Sequence, residues 1–308
     1  MPATHRPIAP ADLSPPDFYQ FMIGSIAPRP IAFVSTISAS GEVNLSPYSF
    51  FNVVSINPPI LVFSPTSRGR DNSEKDTLHN VREVPEVVIN ICDYPLVEQL
   101  SLASAEYPKG LNEFTKAGLT EAASMRVRPP RVAECPVAFE CVVEQLIALG
   151  EAPGHGTLVV CRVVQAHIRE AILLDERPGI DPLKFEAVSR LGGDWYSRLT
   201  PENLFKVGRP NQRLGIGFDE LPEPIRHSDL LTGNHLAKLA NVERTALPTP
   251  AQVAEIKVEP MVAYLLNKHR TDAAEQATQL TLLGRQWLEE GKIAEAWRVL
   301  LLALAPAT

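Results

Sequence analysis

Ser35 and Thr36 stand side by side in "RPIAFVSTISASGEVNLSPYSFF" (residues 29–51). Past a short turn, Asn44, Ser46 and Ser49 are interleaved with Leu45, Tyr48, Phe50 and Phe51 around Pro47. Neighbouring side chains in a strand point to opposite faces, so one of the two hydroxyls can meet a ligand while the other meets backbone or solvent. Asn44 brings a donor and an acceptor, the serines bring hydroxyls, and the aromatics bring flat apolar area. This chemistry is recognition rather than bond cleavage. It suits a flat, largely apolar ligand with a polar edge and a polar tail. A barrel corner with its own polar groups satisfied and an aromatic plug would use the same residue types.

Two further stretches carry comparable signals. In "SRGRDNSEKDTLHNVREVP" (residues 67–85), Arg68, Arg70 and Lys75 lie among Ser67, Ser73 and Thr77. A short helix is expected to start near Asp76 and to end before Pro85. Ser73 and Asp76 have capping-box spacing. A helix N-terminus offers free N–H groups and partial positive charge, so a phosphate could bind there without a glycine-rich loop. The Asp76 carboxylate would oppose that unless backbone donors occupy it, and a solvated loop before an ordinary capped helix is the plainer alternative. In "SRLGGDWYSR" (residues 189–198), paired glycines between Arg190 and Tyr196 allow a sharp turn or a close approach of backbone to something flat.

The elements that must position these residues read as mainly β. Strands are expected over 30–38 and 42–46, joined by a Gly41 hairpin loop, then a short strand after Pro59 and a continuous β-branched one over 86–92. Helical spacing follows in "YPLVEQLSLAS" and "GLNEFTKAGL". Two long β-rich segments, "CPVAFECVVEQLIALG" and "TLVVCRVVQAHIREAIL", are joined by "EAPGHG". Residues 30–175 thus hold about six strands, with no regular alternation of strand and crossover helix. That predicts a mostly antiparallel barrel rather than a doubly wound sheet. From 211 to 308 the apolar residues recur at helical periods, which predicts a helical extension after a first domain of 1–210. It includes one tetratricopeptide-like stretch, "GKIAEAW", without a neighbouring copy.

Bulk properties narrow the classes. The chain has 308 residues, 45% hydrophobic and 21% charged, with a net charge of −7. That charge argues against nucleic acid or an anionic membrane as a general partner. Cys92, Cys135, Cys141 and Cys161 form no C-x-x-C pair and read as buried reduced thiols, and the scattered histidines give no metal motif. The start of the chain lacks a secretory apolar core, and no run approaches the roughly 20 apolar residues of a membrane span, so a cytoplasmic protein is expected.

Taken in order, "PRPIAFVST", "NLSPYSFF", "NPPILVFS", "KDTLHN", "EVVIN", "NEFTKAGLT", "PPRVAECPVAFEC" and "SRLGGDWYSR" resemble the flavin reductase-like family, the FMN-binding split barrels that include flavoredoxin. The similarity covers roughly residues 20–210. It implies a homodimer of six-stranded barrels holding FMN, in preference to FAD, near the subunit interface. By position, Ser35 and Thr36 with Asn44, Leu45 and Ser46 would line the isoalloxazine and its pyrimidine edge. Ser49 and Phe50 would continue that wall toward the ribityl chain. Lys75, Asp76 and Thr77 would sit by the phosphate, with Asn80 nearby. Arg29 and the Arg190–Gly192–Tyr196 turn would approach from another side or from a partner subunit.

The resemblance implies an NAD(P)H:flavin oxidoreductase in which the flavin carries the chemistry and no side chain is nominated as acid or base. With no G-x-G-x-x-G, the nicotinamide would dock transiently over the flavin. The electrons would go to free flavin, a redox partner protein or another acceptor. A non-enzymatic FMN electron carrier of the flavoredoxin kind is the alternative. On this reading, Lys75→Ala combined with Thr77→Ala should weaken FMN binding without unfolding the protein.

Overall fold

The computed structural model describes residues 5–108, 110–208 and 214–305. The chain divides into two compact units, Met1–Phe205 and Lys206–Thr308. The boundary expected at 210/211 falls on residues outside those described.

Among the described residues, twelve strands belong to the first unit: β1 (Arg29–Pro30), β2 (Ala32–Ile37), β3 (Val43–Tyr48), β4 (Phe51–Ser55), β5 (Ile60–Phe63), β6 (Glu86–Ile91), β7 (Glu121–Ala122), β8 (Arg131–Val132), β9 (Val137–Ala148), β10 (Thr157–Ile168), β11 (Val188–Arg190) and β12 (Tyr196–Arg198). Its helices are α1 (Pro15–Ser25), α2 (Asp76–Glu83), α3 (Val97–Leu102) and α4 (Glu113–Ala117). Seven strands form one sheet in the order β3-β2-β6-β9-β10-β5-β4, and small sheets β1-β11-β12 and β7-β8 flank it.

The curl of the large sheet follows from its connectivity. β3 and β4 lie at opposite edges, yet only Ser49 and Phe50 join them. The sheet must therefore roll until its edges approach, which gives an antiparallel half-barrel rather than a flat layer. Two register shifts in the long β9–β10 hairpin, at Val160/Cys161 and Val163/Gln165, supply bends that assist the roll. The strand interiors pack Val34, Phe63, Val87, Ile89 and Val159 against Leu78 and Val81 of α2. The opposite face of β2 and β3 packs Phe33 and Leu45 against Leu100 of α3 and Phe114 of α4.

The mostly antiparallel reading agrees with this architecture, but the principal sheet carries seven strands where about six were expected. The difference is β4, an edge strand with Val53 and Val54 exposed, whose run "FNVVS" has no hydrophobic alternation to betray it. The 38–42 turn of the β2–β3 hairpin closes through Ser38, whose N–H donates to the Glu42 carbonyl at 2.9 Å, with Gly41 at φ 94°.

The second unit is helical: α5 (Glu223–Arg226), α6 (Gly233–Ala240), α7 (Pro250–Glu255), α8 (Pro260–Lys268), α9 (Ala273–Glu289) and α10 (Ile293–Ala303). Its core joins Leu239, Val262, Leu280, Leu288, Trp297 and Leu300. Gly284 lets α9 and α10 approach closely, since a Cβ there would meet Leu300 side-chain atoms at 2.8 Å. The Trp297 indole N–H donates to the Leu239 carbonyl at 3.2 Å. No helix among the described residues is long and apolar enough to cross a membrane.

Candidate functional site

Thr36 and Asn44, expected at a ring, and Thr77 and Asn80, expected at a phosphate, come together and bond chiefly to one another. The Thr36 hydroxyl accepts from Asn80 Nδ2 at 3.0 Å and from Asn44 Nδ2 at 3.4 Å. The Thr77 hydroxyl accepts from Asn44 Nδ2 at 2.9 Å and from the Tyr48 phenol at 2.8 Å. Burial pushes the Tyr48 phenol up to about 12, so it stays a neutral donor. This buried network fastens the first turn of α2 to β2 and β3. Its effect on a ligand is therefore exerted through the position of the helix start.

The start of α2 is open. Lys75 is its N-cap residue and gives no side-chain cap. Ser73, which has capping-box spacing in the sequence, is turned away: its N–H and hydroxyl both donate to Asp71 Oδ1, and its hydroxyl accepts from Arg68. An Asx-type turn has thus taken the expected cap. The amides of Asp76 and Thr77 find no acceptor among the described residues. The half-buried Lys75 ammonium makes no ion pair or hydrogen bond among them either.

This open end borders a cleft of about 740 Å³. One wall is apolar and aromatic: Tyr19 and Met22 of α1 with Pro47 and Phe50, the Tyr19 and Phe50 rings meeting edge to face at 6.2 Å. The other is polar: Ser49, Ser64, Thr66, Ser67 and Lys75, closed by Pro153 and Gly154 of the β9–β10 turn. Ser67 is fixed there by the Gly154 amide, which donates to its hydroxyl at 2.9 Å. A second cleft of about 690 Å³ shares Pro47 and Ser49 with the first. It holds Arg190 stacked on Tyr196 at 4.5 Å and Arg198 stacked on Tyr94 at 3.9 Å, with Glu98 and Asp194 also on its walls. Arg190 and Tyr196 therefore lie one cleft away from Lys75 and Phe50, across the Pro47–Ser49 wall.

Four of the expected site residues have partners within the chain itself. Arg29 is 7% exposed and donates to the carbonyls of Ile23 at 2.7 Å, Ile26 at 2.8 Å and Leu191 at 2.8 Å. It caps the C-terminal end of α1, where unpaired carbonyls favour a cation, and ties that end to the β11–β12 turn. Ser35 is fully buried on the opposite face of β2 and donates to the Pro130 carbonyl. Leu45 is fully buried in the core under α3 and α4, and its N–H donates to Glu113 at 2.9 Å. Gly192 faces Gly24 of α1 rather than open space. As a check, Arg29→Ala is expected to destabilise the protein by about 2 kcal/mol, since it strands three carbonyls. Chemical denaturation of the variant measures this.

The pocket residues that the sequence did not single out are those of α1, Ser64 and Thr66 beside the already marked Ser67, and the 153–154 turn. "FSPTSRG" does carry a hydroxyl-rich signal, but nothing local to α1 or to "EAPGHG" says which surface they reach.

Residues 24–184 match the model of the flavin reductase like domain. The chain belongs to the flavin reductase-like family. Among curated relatives, an uncharacterised Aquifex aeolicus protein is 37% identical over 190 residues, covering 61% of this chain and 93% of its own. The uncharacterised Bacillus subtilis protein YwrF is 36% identical over 202 residues, covering 65% of this chain and 96% of its own. Among solved structures, nitrilotriacetate monooxygenase component B from Bacillus cereus is 33% identical with a TM-score of 0.62, covering 67% of this chain and all of its own (100%). The Pseudomonas fluorescens 2-nitrobenzoate 2-nitroreductase NbaA is 29% identical with a TM-score of 0.59, covering 67% and 96%. A split barrel domain protein from Shewanella frigidimarina, 21% identical with a TM-score of 0.54, shares the fold. The family gives the first unit a flavin-related oxidoreductase role, and the helical unit lies outside the family match.

Proposed function

We propose that the first unit binds FMN in the cleft at the start of α2 and acts as an NAD(P)H-dependent flavin oxidoreductase. The observation that carries this reading is the open helix end, where two amides and the Lys75 ammonium have no partner in the described chain. A phosphate fits that end, and a flat ring fits the aromatic wall opposite. One unpaired cation matches the single terminal phosphate of FMN better than the longer tail of FAD. Held by Lys75 and the Tyr19–Phe50 pair, FMN would supply the hydride and electron-transfer chemistry of a reductase.

The chain's own part is placement. β3 is an edge strand, and the Leu45 N–H points outward to Glu113. By antiparallel alternation the carbonyls of Leu45 and Pro47 also face off the sheet edge, where they can accept from the polar rim of a ring. Pro47 brings no N–H to that edge, so only its carbonyl acts there. Tyr19 and Phe50 would exclude water from the ring's face. The second cleft meets the first at Ser49 and is suited to hold the reductant or the acceptor. The names of the two similar structures, a monooxygenase component and a nitroreductase, suggest two acceptors to try: a partner oxygenase and a nitroaromatic compound. Exposed Val53, Val54 and Ile56 on and beside edge strand β4 suit contact with a second copy in a homodimer.

The test is a visible spectrum of the protein incubated with FMN and desalted, before and after anaerobic NADH or NADPH. Retained bands that bleach with a nicotinamide support the reductase. Retained bands that bleach only with dithionite point to an electron carrier. FMN that neither stays nor binds in titration removes the reading.

A further inference from the structure

Cys92 directly follows β6 and Cys135 shortly precedes β9, two antiparallel neighbours whose register ends at Ile91 opposite Val137. Just past that last pair the two thiols face each other, with Sγ–Sγ at 3.3 Å. Both are free. Cys92 is 2% exposed, whereas Cys135 is half-buried. The other two cysteines differ: Cys141 and Cys161 are buried inside strands, each with its thiol on a main-chain carbonyl, Phe139 at 3.5 Å and Val159 at 3.9 Å.

We propose that Cys92 and Cys135 are an oxidisable pair that closes to an intramolecular disulfide when the protein meets hydrogen peroxide. The sulfurs need to approach by roughly 1.3 Å to reach bonding distance. In the first step the Cys135 thiolate attacks one peroxide oxygen. The O–O bond breaks, and the departing hydroxide leaves as water after taking a proton, so that Cys135 becomes a sulfenic acid. In the second step the Cys92 sulfur attacks that sulfur, the S–O bond breaks, and hydroxide departs with the Cys92 proton as a second water. Two thiols and one peroxide thus give one disulfide and two waters, with two electrons passing from sulfur to oxygen. Burial, reinforced by its Cys135 neighbour, pushes the Cys92 thiol well above its usual range, which assigns the first attack to Cys135 and the resolving role to Cys92.

The bond would tie the exit of β6 to the approach to β9, next to Tyr94 on the wall of the second cleft. It closes a loop between positions 43 residues apart. A loop of that size is expected to raise the unfolding midpoint of the oxidised protein by roughly 5–10 °C. The proposal does not rest on the flavin reading, because added peroxide serves as the oxidant whether or not FMN is bound.

The experiment treats the full-length protein with hydrogen peroxide, alkylates the remaining thiols under denaturing conditions and maps peptides after trypsin and Glu-C digestion. Glu-C separates Cys135 from Cys141 by cutting after Glu140. The expected result is a mass loss of two hydrogens, a Cys92–Cys135 cross-linked peptide that thiol reductants release, and alkylation retained at Cys141 and Cys161. In Cys92→Ala, with no resolving thiol, Cys135 should gather oxygen atoms instead. In Cys135→Ser, changed at the half-buried position, the three remaining thiols should survive the same dose. Wild-type protein that keeps all four thiols, oxidises Cys135 without a cross-link, or cross-links another pair overturns the proposal.

Discussion

Lys75→Ala is expected to weaken FMN binding by roughly 10- to 100-fold while leaving the unfolding midpoint where it is, because a charge-assisted contact to phosphate contributes about 1.5–3 kcal/mol. The two halves of this expectation have separate causes. Affinity falls because the Lys75 ammonium is the cation available at the open end of α2. Stability holds because that side chain makes no bond within the described protein that its removal could break, while the backbone of residue 75 still begins the helix. Thr77→Ala should behave differently. Thr77 is 1% exposed and accepts from both Asn44 and Tyr48, so its loss strands two donors and destabilises by about 1–3 kcal/mol. The joint variant, which the sequence suggested would spare stability, therefore mixes two effects, and the single Lys75 variant separates them. Quenching of FMN fluorescence on titration, with a thermal melt of each variant, is the measurement. Unchanged affinity in folded Lys75→Ala would remove the start of α2 from the site. A melt that falls with Lys75→Ala would show a partner for Lys75 within the protein.

The parts of the fold readable from sequence were those with a local signal. Alternation and β-branching mark β2, β6 and the long β9–β10 pair, and the helix over 76–83 is announced by the capping-type spacing before it and by Pro85 after it. β4 was not readable, because an edge strand beside an interface-like surface need not alternate; Val53 and Val54 are both exposed. At the site, the residue types in "NLSPYSFF" and "KDTLHN" indicated hydrogen bonding, but not with whom. Asn44 and Thr77 could face a ligand or one another, and only the curl of the sheet, which lays α2 across β2 and β3, makes them partners. Arg29 shows the same limit. An arginine before a strand looks available for an anion until α1 folds back and presents its C-terminal carbonyls. Ser73 had the spacing of a cap, but Asp71, two residues back, was the nearer acceptor.

Glu140→Gln is expected to destabilise the first unit by about 3 kcal/mol at neutral pH, enough to lower its unfolding midpoint by roughly 6–12 °C. Glu140 is fully buried on β9, an unusual place for a carboxylate in a strand packed on both sides. Its Oε1 accepts from the Met125 amide at 2.8 Å and from His167 Nε2 at 2.6 Å, and its Oε2 accepts from the Arg126 amide at 2.5 Å. The carboxylate thereby pins the loop between β7 and β8 over β6 and β9, where Val127 packs on Val88 and Ala138. Glu86 on β6 helps by accepting from the Arg128 amide at 2.7 Å. The same loop supplies the Pro130 carbonyl that receives the Ser35 hydroxyl. A carboxamide keeps the shape but turns an N–H₂ toward one of these donors, so two N–H groups point at each other in a dry site. The pH dependence follows from the direction of the Glu140 shift. Burial alone would raise its pKa, but the bonds from the Met125 amide, His167 and the Arg126 amide outweigh burial and hold it below the usual 4.5. A carboxyl group depressed in the folded state contributes stability that is fully present above its unfolded value and is lost as pH falls through the folded one. The stability gap between wild type and Glu140→Gln should therefore be wide at neutral pH, begin to narrow below about pH 4.5, and shrink further as the folded carboxylate takes up its proton. Urea unfolding of both proteins across that range measures it. A gap that stayed constant into acid would mean that shape, and not the charge on Glu140, holds the loop.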